Sequence, residues 1–205
     1  MGRISSLIQR CCRCRMHLEL CVCAHIPTIE VATKVVLVMH KREFVKISAT
    51  GPLALECLPN SELLIHGHRE QPLHLREQLT ENRRVLCLFP RPGAQILNDA
   101  FVNSDNRPVT LIVPDGNWGQ ASRMSRRIPG MKDAINVVLP KGQPTGWGLR
   151  HEPHEEGLAT FEAISRALGI IESPDMQKSM DALFNRMVRR THKLRGTKPI
   201  GDVAD

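Results

Sequence analysis

Five short apolar runs, residues 31–39, 62–66, 85–89, 109–113 and 135–139, constrain this chain more than any other feature. They are mostly rich in β-branched residues and show little polar alternation, the pattern of strands covered on both faces. Between them, residues 41–48, 52–58, 72–81 and 118–127 read as helices, and strand–helix alternation predicts an α/β domain with a mostly parallel sheet. After residue 140 the strand signal ends. The stretch 140–157 carries four glycines and three prolines and reads as a long loop, a feature often tied to function. Phe161, Ile164, Leu168 and Ile171 then recur at helical spacing, with Gly169 in the last turn. Met180, Leu183, Phe184, Met187, Val188 and Leu194 mark a second amphipathic helix with Pro174 near its start, and its methionines read as core. The sequence thus divides into a cysteine-rich segment (1–30), an α/β domain (31–172) and a basic amphipathic helix with its tail (173–205).

Cys11-x2-Cys14-x6-Cys21-x-Cys23 offers soft ligands at the short spacing of a small zinc knuckle. Cys12 or His17 could replace one ligand, and a set of ordinary thiols is the competing reading. With four thiolates the zinc would be structural, because no position stays open for substrate. Cys57 and Cys87 lie in apolar surroundings and read as small buried hydrophobes. An odd count of seven cysteines, most of them near the start, argues for a reducing compartment and against a disulfide framework.

The formal charge of +7 is unevenly placed. Arg3, Arg10, Arg13 and Arg15 precede the first acid, and Arg186, Arg189, Arg190, Lys193, Arg195 and Lys198 form an acid-free run. Such runs suit a phosphate backbone. Five Phe, two Trp and no Tyr leave too few aromatics for a passive base-stacking module. No apolar run is long enough to span a bilayer and residues 1–15 lack a signal-peptide core, so the expectation is a cytoplasmic protein with no membrane partner. There is no Walker loop or G-x-G-x-x-G, and His151-Glu-Pro-His154 is not a zincin motif, since Pro153 breaks the helix that would present it.

The chemistry-bearing residues fall in ordered blocks. His40 ends the first run with Glu43 a helical turn on; Thr50-Gly51 follows; Asp115-Gly-Asn-Trp118 closes the fourth run; and Thr160 and Glu162 open the first C-terminal helix. A carboxylate at the carboxyl end of a strand fits a catalytic turn, although an Asp-Gly pair on local sequence alone is more often only a tight turn.

Together with the cysteines, these blocks resemble the DTW-domain family, named for its D-x-T-W motif, over most of the chain from about Cys11 to Leu168. The family's threonine is Asn117 here, which keeps a polar helix-capping side chain and loses a hydroxyl. The resemblance implies a SPOUT-like fold with a trefoil knot, otherwise very rare, and a transferase acting on tRNA with S-adenosylmethionine. The implied reaction moves a 3-amino-3-carboxypropyl group to N3 of a uridine and releases methylthioadenosine. Asp115 and Trp118 would be catalytic. His40, Glu43, Thr50 and Arg150 would bind substrate. Phe89, Pro90, Pro114, Gly116, Asn117, Leu139, Thr160 and Glu162 would hold the cofactor, and Cys11, Cys14, Cys21 and Cys23 the Zn2+. An RNA-binding or assembly factor that has lost catalysis and a SPOUT-type RNA methyltransferase are the alternatives. The target uridine and the choice between monomer and homodimer stay open.

Overall fold

The computed structural model describes residues 9–68, 70, 72–147 and 157–196. Arg150 and the His151–His154 stretch lie outside them, as do Arg3 and Lys198. Six strands form one sheet: β1 (Lys34–His40), β2 (Ser61–His66), β3 (Arg84–Leu88), β4 (Gln95–Ile96), β5 (Val109–Asp115) and β6 (Ile135–Val138). Their order is β2-β1-β5-β3-β6-β4 and every pairing is parallel. The helices are α1 (Lys41–Phe44), α2 (Gly51–Leu55), α3 (Asp99–Val102), α4 (Trp118–Arg127), α5 (Thr160–Ile171) and α6 (Pro174–Arg195). None among the described residues is long and apolar enough to cross a membrane.

The sheet is covered on both faces, as the unbroken apolar runs predict. Val35, Leu37 and Met39 of β1 point into a core shared with α2, α5, α6 and the cysteine segment, where Phe161 and Ile164 are fully buried. Val36 and Val38 point the other way, into a smaller core with Ala121 and Met124 of α4, Leu75 and Met131. Each fully buried large side chain contributes about 1.5–3 kcal/mol relative to exposure. Cys57 and Cys87 are buried, and burial pushes both thiols up to about 12. Gly169 lets α5 approach α6: a Cβ there would fall 2.8 Å from the Gln177 Cβ.

The cysteine segment is tied to the domain on two sides. Arg190 of α6 donates to the carbonyls of Leu20 and Cys21, so this member of the basic run faces the protein. Arg15 donates to the Phe44 carbonyl at 2.6 Å and its guanidinium lies 5.0 Å from the centre of the Phe44 ring, while Arg13 pairs with Glu56 at 2.5 Å.

One predicted helix does not form. Residues 72–81 contain only a single 3-10 turn, Arg76–Gln78. The Leu75 N–H is taken by the Pro129 carbonyl at 3.0 Å, and the fully buried Leu75 side chain packs against Gly130, so a tertiary contact overrides local propensity. β4 and α3, elements of two and four residues, are too short to leave a pattern in the sequence.

Gly130 has φ +93, and a Cβ there would lie 2.8 Å from the Leu75 Cβ and 3.1 Å from its carbonyl carbon. Gly130→Ala is expected to lower stability by about 1–3 kcal/mol in urea denaturation. Gly93, also at positive φ but with nothing within 4 Å, should lose no more than about 1–2 kcal/mol on the same change. Equal losses would mean that contact with Leu75 is not what holds the 72–79 segment.

Candidate active site

In an open parallel sheet, ligands bind beyond the carboxyl ends of strands, where the chain leaves neighbouring strands in opposite directions. Here the chain leaves β1 toward β2 and leaves β5 toward β6, on the other side. A cavity of about 1220 Å³ opens off the carboxyl ends at that divide. Its walls come from the segment after β1 (Lys46, Ala49, Thr50), the turn after β3 (Phe89, Pro90), the end of β5 with the turn that follows (113–118), the end of β6 with the residues that follow (138–144), and the start of α5 with Thr160 and Arg166. Phe89-Pro90, Pro114 to Asn117 and Leu139 onward, the loops singled out from the sequence, thus meet in one space.

Asp115 ends β5 opposite Met39 of β1 and is 5% exposed. Its Oδ1 accepts from the Thr160 hydroxyl at 2.9 Å, linking the end of β5 to the first residue of α5. Gly51 packs against the same carboxylate: a Cβ there would stand 2.8 Å from Asp115 Oδ2 and 2.8 Å from Leu37 Cδ2. Thr50 is buried and its hydroxyl accepts from the Phe161 N–H at 3.2 Å. Thr50 and Gly51 therefore act as a pair, one steering the N-terminus of α5 and the other leaving room for Asp115.

The 115–118 turn is held by a reciprocal cap. Asn117 Oδ1 accepts from the Gln120 N–H at 2.9 Å, and Gln120 Oε1 accepts from the Asn117 N–H at 2.8 Å. Asn117 thus supplies the helix-capping function expected of a short polar residue at this place. Trp118 follows as the first residue of α4. It is 40% exposed, lines the cavity, and lies 5.2 Å centre to centre from the Phe89 ring. It is a wall of the cavity and not a core tryptophan.

His40 and Glu43 stand behind the wall. Glu43 is 1% exposed and pairs at 2.7 Å with Lys46, which reaches the cavity. Glu162 is likewise buried, accepting from the Thr145 hydroxyl, from Gly146 N–H at 2.9 Å and from Ala159 N–H at 3.1 Å. It pins the glycine-rich loop to α5. Arg166, one turn later, donates to the Gln143 carbonyl at 2.7 Å and faces the cavity. Lys46, Lys141 and Arg166 were missed in the sequence. The spacings Glu43-x2-Lys46 and Glu162-x3-Arg166 are the signal that could have found two of them. With Asp115 the only acid among the described residues of the lining, these cations make the cavity suited to a carboxylate or phosphate.

Apart from the cavity lining, the sulfurs of Cys11, Cys14, Cys21 and Cys23 all lie within 4.8 Å of one another. Cys11–Cys23 and Cys14–Cys21 are 3.4 and 3.7 Å apart. Tetrahedral zinc with bonds of about 2.3 Å places sulfurs about 3.8 Å apart, so the set fits such an ion. Arg15 adopts φ +62 in the turn after Cys14. Backbone N–H groups of Cys14 and Arg13 hold the Cys11 thiol down at about 6. Cys12 is exposed and His17 accepts from the Glu19 N–H, and neither joins the cluster.

The close approach at Gly51 gives a direct test. Gly51→Ala should destabilise the fold by about 1–3 kcal/mol, since either Asp115 or Leu37 must move. Gly119→Ala, where the nearest atom to the new Cβ is 3.5 Å away, should be neutral or raise stability by up to about 1 kcal/mol. Thermal denaturation of the two variants, side by side, checks the ranking, which a Gly51→Ala protein of wild-type stability would contradict.

Among curated proteins, the chain is 28% identical over 167 residues to tRNA-uridine aminocarboxypropyltransferase 2 of Macaca fascicularis, covering 79% of this chain and 56% of that protein. For the Mus musculus protein of the same name the identity is 26% over 168 residues with the same coverage. For that of Drosophila melanogaster it is 22% over 178 residues, covering 83% of this chain and 70% of the other. The chain spans little more than half the length of the macaque and mouse relatives. Among solved structures, the SAM-dependent rRNA:acp-transferase Tsr3 from Vulcanisaeta distributa superposes with a TM-score of 0.43 at 16% identity, covering 80% of this chain and 90% of that one. The DTW domain model matches residues 8–192, a span that takes in the cysteine cluster, the 115–118 turn and the start of α5, and the chain belongs to the DTW-domain family.

Proposed function

We propose that this chain transfers a 3-amino-3-carboxypropyl group from S-adenosylmethionine to N3 of a uridine in tRNA, releasing methylthioadenosine. The observation that carries the reading is Asp115: a buried carboxylate at the carboxyl end of a central strand, held by Thr160 and facing a cavity lined by aromatic rings and cations. The names of the curated relatives support the reaction class and a tRNA partner.

Backbone groups of the loops after β3, β5 and β6, with Phe89, Pro90, Pro114, Gly116, Asn117, Leu139 and Thr160, would enclose the cofactor. Bound there, S-adenosylmethionine supplies a methylene carbon activated by its sulfonium, whose departure as the neutral thioether takes up the electrons of the broken C–S bond. Lys46, Lys141 and Arg166 are the cations of the described lining that would receive the carboxylate of the amino-acid arm or a phosphate of the RNA. Asp115 accepts the imide proton from uridine N3 as the N3–C bond forms, a transfer that requires hydrogen-bond reach and a fixed carboxylate. Trp118, 40% exposed on the wall and backed by Phe89, would be the ring against which a base packs. Holding the methylene carbon, and not the methyl, in line with N3 is an orientation effect, and oriented reactants gain on the order of 7–11 kcal/mol. A SPOUT-like fold completes this reading. Zinc in the cysteine cluster would be structural, closing the 11–23 segment that Arg13 and Arg15 tie to Glu56 and Phe44.

Incubation of the protein with bulk tRNA and S-adenosylmethionine should yield methylthioadenosine. S-adenosylhomocysteine in its place would establish a methyltransferase, and neither product would favour a binding factor. Asp115→Asn should reduce transfer by about 100-fold or more while leaving cofactor affinity and melting near wild type. A near-normal rate in that variant would leave Asp115 a turn residue.

Purified protein should contain about one zinc per chain. Cys14→Ser should lose metal and about 2 kcal/mol or more of stability together. Full metal content in a variant with Cys11, Cys14, Cys21 and Cys23 all changed to Ser would place the ion elsewhere.

A further inference from the structure

We propose that His40 is a positioning residue, holding the 115–118 turn through Gln120, and that it does so as the neutral imidazole protonated at Nε2. The hydrogen bonds around Gln120 set the argument. Its Oε1 accepts from the Asn117 N–H at 2.8 Å, which fixes the amide orientation and leaves Nε2 as the end facing His40 Nδ1 at 3.3 Å. The same Nδ1 accepts from the Arg42 N–H at 3.2 Å as the N-terminal cap of α1. Two donors thus converge on one ring nitrogen, which must carry a lone pair. Gly116 packs directly on this pair, since a Cβ there would stand 3.0 Å from Gln120 Oε1 and 3.5 Å from the His40 Cβ. The path from His40 to the Asp115 backbone therefore runs through Gln120, Asn117 and Gly116 without any contact between His40 and the cavity.

Protonation of His40 would place an N–H against two N–H donors. Either the α1 cap or the Gln120 contact must break, and if the Gln120 amide turns to offer Oε1, the Asn117 N–H loses its partner. The groups around the ring favour the neutral state. His66 of β2 lies 6.2 Å away centre to centre, Lys41 and Arg42 belong to α1 and Arg123 to α4, while the Asp115 carboxylate at the end of β5, opposite Met39, is of the opposing sign. Burial first, then His66 and these cations, hold His40 below the ordinary histidine value of 6.5. The contribution of the neutral ring is therefore complete above about 6.5 and is lost as pH falls through that value toward the lowered one of the folded state.

The test uses the full chain without RNA or cofactor, so that its outcome is separate from the transferase reading on which the role in catalysis rests. Amide exchange of Asn117 and Gln120 is measured between about pH 8 and about pH 5, corrected for intrinsic rates. In wild type, Asn117 protection should fall by about tenfold or more across that range. His40→Asn retains an acceptor at the Nδ1 position and an N-cap for α1, so it should keep the protection and lose its pH dependence. His40→Leu should lose protection at every pH. Where transfer is measurable, His40→Leu should lower kcat with little change in KM, and His40→Asn should recover most of the loss. Unchanged Asn117 protection in His40→Leu would overturn the proposal, as would nitrogen NMR showing the proton on Nδ1 in wild type at about pH 7.5. A folded His40→Asn protein with normal protection but no transfer would also overturn it, because the imidazole itself would then be needed for the chemistry.

Discussion

Strands β1 and β5 lie side by side at the centre of the sheet with Met39 opposite Asp115, and the groups of the cavity are placed relative to that pair. Both strands are buried almost throughout, so their register is set by side chains packed on two faces at once. A one-residue slip would move Leu37 out of one core and Val36 out of the other. It would also take Asp115 away from Thr160 and Gly51. The precision of the carboxylate thus comes first from the hydrophobic packing of a sheet, to which the capped turn that follows adds.

The second constraint is the N-terminus of α5, which ties distant parts of the chain to that strand end. Phe161 N–H reaches Thr50, the Thr160 hydroxyl reaches Asp115, and Glu162 gathers Thr145, Gly146 and Ala159. Segments from near residues 50, 115, 145 and 160 therefore form one polar junction behind the cavity. Each partner is buried or half-buried, where leaving one unpaired costs about 1–3 kcal/mol. The junction explains why residues so far apart in sequence occur as one set: Glu162 and Thr50 shape the cavity by holding its walls.

Much of this was legible in the sequence because burial on two faces writes itself as uninterrupted apolar runs. β5 and α4 stand out on either side of Asp115, and the run of residues 109–113 identified it as the end of a strand. The cysteine set was legible by spacing alone. Elements shaped by tertiary contacts were not. Residues 72–81 carry helical periodicity, yet Leu75 gives its N–H to Pro129, and β4 is too short to leave a pattern. Arg190 reads as one more cation in a basic run, but it caps carbonyls of the cysteine segment. Lys46 and Arg166 owe their places to buried acids one turn away, a relation visible in spacing only once those acids are known to be buried.

The central claim is that Asp115 removes the proton that makes a uridine nitrogen nucleophilic, and the pH dependence of the Asp115→Asn defect tests it most directly. In single-turnover transfer with saturating cofactor and tRNA, the variant's rate should climb by about tenfold per pH unit toward the alkaline range, where the imide ionises without help. The wild-type rate should already be level there, so the gap between the two narrows as pH rises. A gap that stays constant across the alkaline range would show that the carboxylate does not act on the proton, and would contradict the account.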